Sequence, residues 1–177
     1  DSDDVSLPER FFSQIDFLDR NLKVDVLGGS IIEFSSPIDQ GRRATFFSGR
    51  GDVRKWLCWR VPVAHPTVCF RGRVFDVLDG YPTSSGNEDI SLWFSCASEG
   101  MIFANVDAVV LKFRVTSSFW QRRSVRKAWD EFLAYQRGIY SLFGLSWRAV
   151  IPLFRLAFRL LPTPIVKLVY QFRTLKN

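Results

Sequence analysis

Two adjacent carboxylates, Glu88 and Asp89, follow a polar run that opens on Gly80-Tyr81-Pro82 and precede the apolar residues Ile90, Leu92, Trp93, Phe94 and Ala97. The Gly/Pro/Ser/Asn run reads as a surface loop, and the apolar spacing behind it predicts a helix ending near Gly100. Both acids therefore fall at a helix N-terminus, where free N–H groups and the helix dipole favour negative charge. A carboxylate free to accept a proton at neutral pH is what a general base requires. The same residues also fit a structural role, in which Asn87 caps the helix and the two acids complement its dipole.

Other side chains carry the same two-sided reading. Trp93 offers an aromatic face on which a ligand can stack, or it belongs to the core, as a Trp at helical spacing often does. Arg71 suits a phosphate or an anionic acceptor, or a surface salt bridge. Asp1-Ser2-Asp3-Asp4 gathers hard oxygen donors of the kind Mg²⁺ and Mn²⁺ prefer. It lacks the following Gly and the distant Glu of a calcium-binding EF-hand loop, and acidic turns are also common as solvated clusters.

Taken in order, His65-Pro66-Thr67-Val68-Cys69-Phe70-Arg71, Gly80-Tyr81, Glu88-Asp89-Ile90-Ser91-Leu92-Trp93, Phe103-Ala104-Asn105 and Leu111-Lys112-Phe113-Arg114-Val115 resemble the acceptor half of family 2 glycosyltransferases of the GT-A fold. Asp1-Ser2-Asp3-Asp4, with Ser6-Leu7-Pro8-Glu9-Arg10 behind it, resembles that family's metal-binding Asp-x-Asp motif and its following helix. The resemblance runs from Asp1 to Val115, about two-thirds of the chain.

The resemblance implies an inverting transfer of a sugar from a nucleotide-diphosphate donor to a glycan, lipid-linked or protein acceptor, in the synthesis of a cell-surface polysaccharide or glycoconjugate. It makes Asp89 the catalytic base with Glu88 supporting it or the acceptor, gives Asp1 and Asp3 an Mn²⁺ or Mg²⁺ ion, and sets His65 in the acceptor pocket, where a lone His before Pro otherwise reads as one simply hydrogen-bonded in place; Arg71 and Trp93 are the other acceptor-binding candidates. Such a transfer needs the leaving diphosphate neutralised, the acceptor hydroxyl deprotonated and water kept out. A base opposite the leaving group gives in-line displacement, hence inversion. The implied fold is α/β, a partial GT-A mixed sheet flanked by helices. The nucleotide-binding strands and helices are expected upstream of Asp1.

With 177 residues and 47% hydrophobic content, the chain is long enough for one buried core. It does not open on Met, no signal segment with a cleavage site follows, and it is expected to begin inside a longer protein. Cys58, Cys69 and Cys96 fit neither a disulfide framework nor a zinc pattern, which points to a reducing compartment.

Ser6 and Glu9 form a capping-box pattern, and Leu7, Phe11, Ile15 and Leu18 predict a helix over residues 7–20. Residues 24–34 read as a strand, with Gly28-Gly29 marking a bulge or a close backbone approach. Residues 35–53 read as a polar loop, and its Arg50-Gly51-Asp52 tripeptide carries no weight as an adhesion motif. Short elements follow: a strand over 67–70, a helix over 74–78, and strands over 101–104 and 109–115. Alternating helices and strands favour a mixed sheet over a bundle or a sandwich.

The character changes after Val115, and the chain divides into 1–116 and a helical tail, 117–177. Residues 1–118 carry 13 Lys and Arg against 16 Asp and Glu, whereas residues 119–177 carry 11 against 2. Residues 139–161 are nearly continuously apolar, but Arg148, Arg155 and Arg159 interrupt them, and a spanning helix needs about 20 largely uncharged residues. Arg137, Arg148, Arg155 and Arg159 fall along one stripe of a continuous helix, unless Pro152 splits it. A last helix is expected near Ile165, after Pro162-Thr163-Pro164.

Basic amphipathic helices of this kind lie in a membrane interface on anionic lipid, or pack on protein. The first reading places the chain in the cytoplasm, peripheral on the inner face of the cell membrane. Nucleic acid is not an expected partner, because Phe154, Phe158 and Phe172 lie in apolar runs and not on a basic groove. Gln121-Arg122-Arg123 with Trp129 does not match the spacing of the Gln-x-x-Arg-Trp motif of processive synthases. The alternative to an enzyme is a non-catalytic module that binds a membrane surface or another anionic partner.

Overall fold

The computed structural model describes residues 3–35, 41–82, 87–115 and 124–161. In chain order the elements are β1 (Val5–Ser6), α1 (Arg10–Arg20), β2 (Val26–Phe34), β3 (Gly41–Ala44), β4 (Arg50–Gly51), α2 (Arg54–Leu57), β5 (Cys69–Phe70), α3 (Arg73–Val77), α4 (Glu88–Ser98), β6 (Phe103–Arg114), α5 (Val125–Phe143) and α6 (Ile151–Leu160). Single 3₁₀ turns, His65–Thr67 and Trp147–Val150, precede β5 and α6.

Strands β2 and β6 run parallel at the centre of a mixed sheet. The outer edge of each is shared by two short antiparallel strands, β5 and β3 on β2, and β4 and β1 on β6. Strand β2 is buried along most of its length, which is why it reads as an almost unbroken apolar run and not as a strict alternation. Its side chains still alternate between two cores. Val26 and Phe103 face a core with α2, α4 and α5, while Leu27 and Ala104 face a second core with Leu18 of α1.

Gly28 and Gly29 mark a close approach, as their sequence context suggested. A Cβ at Gly28 would collide with Val63 and Asn105, and one at Gly29 with Val110. The β2–β6 register slips directly after Gly29, so the two separate strands expected over 101–115 are one bulged strand. Helix α1 begins at Arg10, later than expected, and the capping box does not form. Ser6 is held in β1 opposite Leu111, and its hydroxyl accepts a bond from Arg10 at 2.9 Å.

The described part of the tail packs on the sheet domain. Tyr135 meets Phe94 of α4 edge-on at 5.6 Å, Gly138 lies against the same Phe94 ring, and Ile139 and Ile151 enter the same core. The expected single helix is broken at Gly144, whose φ of 60° favours glycine, and Pro152 sits in the first turn of α6, where its missing N–H is not needed. The arginine stripe is broken with it. Arg155 and Arg159 alone converge on the buried carboxylate of Glu131, Arg155 at 2.7 Å, while the Arg148 guanidinium lies over the Phe143 ring at 4.5 Å. The helix expected near Ile165 and the basic run Gln121-Arg122-Arg123 lie outside the described residues.

Between these charges lies Tyr135, 1% exposed, with the Arg155 guanidinium 4.0 Å from its ring centre. Burial pushes its hydroxyl up to about 12, with Glu131 and Asp89 adding to the push and Arg155 opposing it. Its Oη has no hydrogen-bond partner among the described residues.

Two outcomes follow from this packing. Gly138→Ala should destabilise the fold by about 1–3 kcal/mol in denaturant melts through overpacking against Phe94, although the same change in an open helix stabilises. A melt that is unchanged or higher would mean that α5 does not dock on α4. The folded chain keeps the Tyr135 proton where an unfolded tyrosine, with its ordinary value of 10.0, loses it. The resulting stability is complete below pH 10.0 and disappears as pH rises toward about 12. Tyr135→Phe should therefore flatten the alkaline loss of stability by up to about 1.4 kcal/mol per pH unit, read from melts in that window.

Candidate functional site

The position of His65 is set from beneath by Thr67, which is fully buried. Thr67 Oγ1 donates to the Ala64 carbonyl at 2.7 Å and accepts from the Gly29 N–H at 3.1 Å, so the 3₁₀ turn is fastened to β2. Gln14 of α1, also fully buried, donates to the Thr67 carbonyl at 2.7 Å. Pro66 supplies a fixed φ in the same turn. These bonds leave the His65 ring at the surface, with Nε2 3.2 Å from the Tyr81 hydroxyl and its edge toward Trp93.

Helix α4 brings the acids to the same place. Asn87 stands at its N-cap without a side-chain bond, and Glu88 and Asp89 occupy the first turn. Asp89 is half-buried and accepts the Ile90 N–H at 2.8 Å, while Glu88 is exposed. Trp93 follows Asp89 by four residues and so lies one turn deeper on the same side of the helix. Burial, then the Asp89 charge, push the Tyr81 hydroxyl above its ordinary value. Asp89, Tyr81 and His65 thus share one neighbourhood.

Trp93 does not offer a stacking face. It is 0% exposed, stacked on Phe70 at 5.9 Å and edge-on to Phe103 at 6.0 Å, and it serves as the floor on which His65 rests. The exposed aromatics of this region are Tyr81 and Phe75, 39% and 40% exposed and stacked on each other at 6.3 Å. Gly80-Tyr81 was among the motifs of the family resemblance and lies near the acids, whereas nothing in the sequence singled out Phe75, and contact between α3 and the loop was not readable from spacing.

Arg71 is engaged elsewhere. Its Nε donates to the Val24 carbonyl at 2.8 Å and its Nη2 to the Leu18 carbonyl at 2.5 Å, so it satisfies the C-terminal end of α1. The neighbouring Arg73 pairs with Asp25 at 2.6 Å, and the other oxygen of that buried carboxylate accepts the Ile102 N–H. Both arginines tie the segment after β5 to the end of α1 and the connection that leads into β2. The three cysteines are free thiols, and burial pushes the Cys96 thiol up to about 12, far from the reactive range.

Asp1 lies outside the described residues. Asp3 is exposed just before β1, and its backbone carbonyl accepts from Arg114 Nε at 3.2 Å. Asp4 accepts the Arg114 N–H at 3.0 Å, and Arg114 pairs with Phe34. The acidic loop therefore stands at the C-terminal ends of β2 and β6. The Thr67 anchor is five residues back along β2, at Gly29, a distance of about 17 Å along the strand. Among the described residues no three His, Cys, Asp or Glu side chains gather as a metal site. Asp3 is an exposed carboxylate, a hard oxygen donor of the kind Mg²⁺ and Mn²⁺ take when bound mainly through phosphates.

No protein-family model matches the chain. It is 29% identical over 178 residues to an uncharacterized glycosyltransferase of Haemophilus influenzae, covering 97% of this chain and 64% of the relative. It is 29% identical over 175 residues to the UDP-Gal:alpha-D-GlcNAc-diphosphoundecaprenol beta-1,3-galactosyltransferase of Escherichia coli, covering 97% of this chain and 63% of the relative. Among solved structures, the mannosyltransferase PcManGT from Pyrobaculum calidifontis, in complex with GDP-Man and Mn²⁺, aligns at a TM-score of 0.48 and 16% identity over 99% of this chain and 53% of that one. The chain spans less than two thirds of the length of these curated relatives. Over nearly all of its own length it is similar to proteins named as glycosyltransferases.

Proposed function

We propose that the chain forms the acceptor side of a glycosyltransferase that moves a sugar from a nucleotide-diphosphate donor to a hydroxyl of a glycan, lipid-linked or protein acceptor, with inversion. The observation that carries this reading is the contact of His65 with Tyr81 above the buried Trp93, with Asp89 one turn before that tryptophan on the same helix. The similarity of nearly the whole chain to named glycosyltransferases supports it. One of those relatives is named for a UDP-sugar donor and a lipid-diphosphate acceptor. That pairing favours a role in building a surface polysaccharide or glycoconjugate.

In this reading the acceptor hydroxyl gives its proton to the Asp89 carboxylate as its oxygen bonds to the anomeric carbon. The bond from that carbon to the donor phosphate breaks, and the electron pair leaves with the diphosphate. Tyr81 and His65 orient the acceptor by hydrogen bonds, and the Tyr81–Phe75 pair supplies the aromatic surface for a sugar ring. Glu88, exposed on the same first turn, contacts the acceptor or supports the base. Asp3, with Asp1, would hold Mg²⁺ or Mn²⁺, whose charge offsets that of the leaving diphosphate. The strand distance between Asp3 and the His65 turn leaves room for a donor to lie between them.

The test is Asp89→Asn in the protein that carries this chain, supplied with labelled nucleotide sugars, a divalent cation and extracted acceptors. Transfer should fall by about 10²–10⁴-fold with the melting curve unchanged. Full transfer by a folded Asp89→Asn protein would remove Asp89 from the role of base.

A further inference from the structure

Helix α6 is amphipathic in the reverse of the usual sense. Its two arginines, Arg155 and Arg159, both reach the buried Glu131, Arg159 while staying exposed, and Arg155 also donates to the Trp59 carbonyl at 2.8 Å. Its solvent side is apolar: Leu153 is 52% exposed, Phe154 70% and Leu160 50%, with Phe158 following Phe154 one turn on. The preceding turn extends this face with Leu145, 95% exposed, and Trp147, 66% exposed. A soluble helix places its charges outward, so this face is built for a medium other than water.

Charge selects among the apolar occupants. Residues 119–177 hold 11 Lys and Arg against Asp130 and Glu131, and Glu131 is already neutralised by two of those arginines. An apolar face within so cationic a segment matches a surface that is apolar beneath and negative on top, which is an anionic bilayer. Among the described residues no helix is long and apolar enough to cross a membrane, so the fitting geometry is a helix lying in the interface. Trp147 stands at the end of the face, and Trp is favoured at headgroup level.

We propose that the outer face of α6 and the Trp147–Val150 turn dock the chain on an anionic lipid surface, with Leu153, Phe154 and Trp147 entering the acyl boundary. The Glu131 cluster makes this possible. It draws both arginines to the α5 side of the inserting helix, offsets one of their two positive charges, and fixes that helix to α5, which in turn packs on the helix that bears Asp89. The catalytic neighbourhood is thereby held at a set height above the lipid, on the inner face of the cell membrane if the chain resides in the cytoplasm.

The experiment is flotation of the full chain with phosphatidylcholine vesicles, with and without phosphatidylglycerol, comparing the parent with Phe154→Asp/Phe158→Asp and with Phe154→Leu/Phe158→Leu. The parent should float with the anionic vesicles and much less with neutral ones. The aspartate pair should lose about tenfold or more in vesicle affinity, while the leucine pair keeps most of it. Melting curves are taken on both variants, and only variants that melt as the parent does enter the comparison. The proposal is overturned if the parent ignores anionic vesicles, as it would if residues 162–177 or a second copy covered this face. It is equally overturned if a folded aspartate pair floats like the parent. The readout is independent of glycosyl transfer, so its failure leaves the reading of Asp89 untouched.

Discussion

The parallel pairing of β2 and β6 is the constraint on which the rest depends. Parallel neighbours need a long crossover, and here it carries β3, β4, β5 and the helices α2, α3 and α4. Every element of the candidate site except the acidic loop therefore lies within one crossover. Both faces of the pair are covered, by α1 on one side and by α4 with α5 on the other, so the strands bury apolar side chains in both directions. Gly28 and Gly29 allow Val63, Asn105 and Val110 to close over the strand, and the Gly29 N–H is the group that holds Thr67. A close-packed glycine thus becomes the anchor of His65.

Buried polar groups do the fastening. Gln14, Thr67, Asp25 and Glu131 are all inside, and each meets partners: a carbonyl for Gln14, a carbonyl and an N–H for Thr67, an arginine and an N–H for Asp25, two arginines for Glu131. Such groups are expensive to bury unpaired, so each one admits a single arrangement of the elements it joins. Gln14 sets α1 against the His65 turn, Asp25 sets α3 against the sheet, and Glu131 sets α6 against α5. The same satisfaction of polar groups occupies Arg71 and Arg73, which otherwise look available for an anionic ligand.

Much of the fold was legible because its signals are local. Helix α4, with its acidic first turn, followed from the loop residues before it and the apolar spacing within it, and β2 from its β-branched apolar run. The errors arose where a distant partner overrode a local pattern. Ser6 fits a capping box, yet pairing with Leu111 puts it in a strand. Pro152 resembles a helix breaker, yet Gly144 ends α5 and Pro152 starts α6. Residues 101–115 read as two strands because a bulge interrupts their alternation, although the backbone continues as one.

For the candidate site, the amino-acid order by itself determined that two carboxylates open an apolar helix and that a lone histidine precedes a proline turn, because caps, dipoles and turn chemistry act over a few residues. Only the tertiary structure decided which neighbours they have. It buried Trp93 as a floor, set Tyr81 and Phe75 beside His65, and took Arg71 away to the end of α1. It also drew the two arginines of α6 onto Glu131 and left Leu153 and Phe154 exposed. A helical repeat specifies that two faces differ. Which face meets the protein depends on where a matching charge such as Glu131 is buried, and that is settled by contacts between residues far apart in the chain.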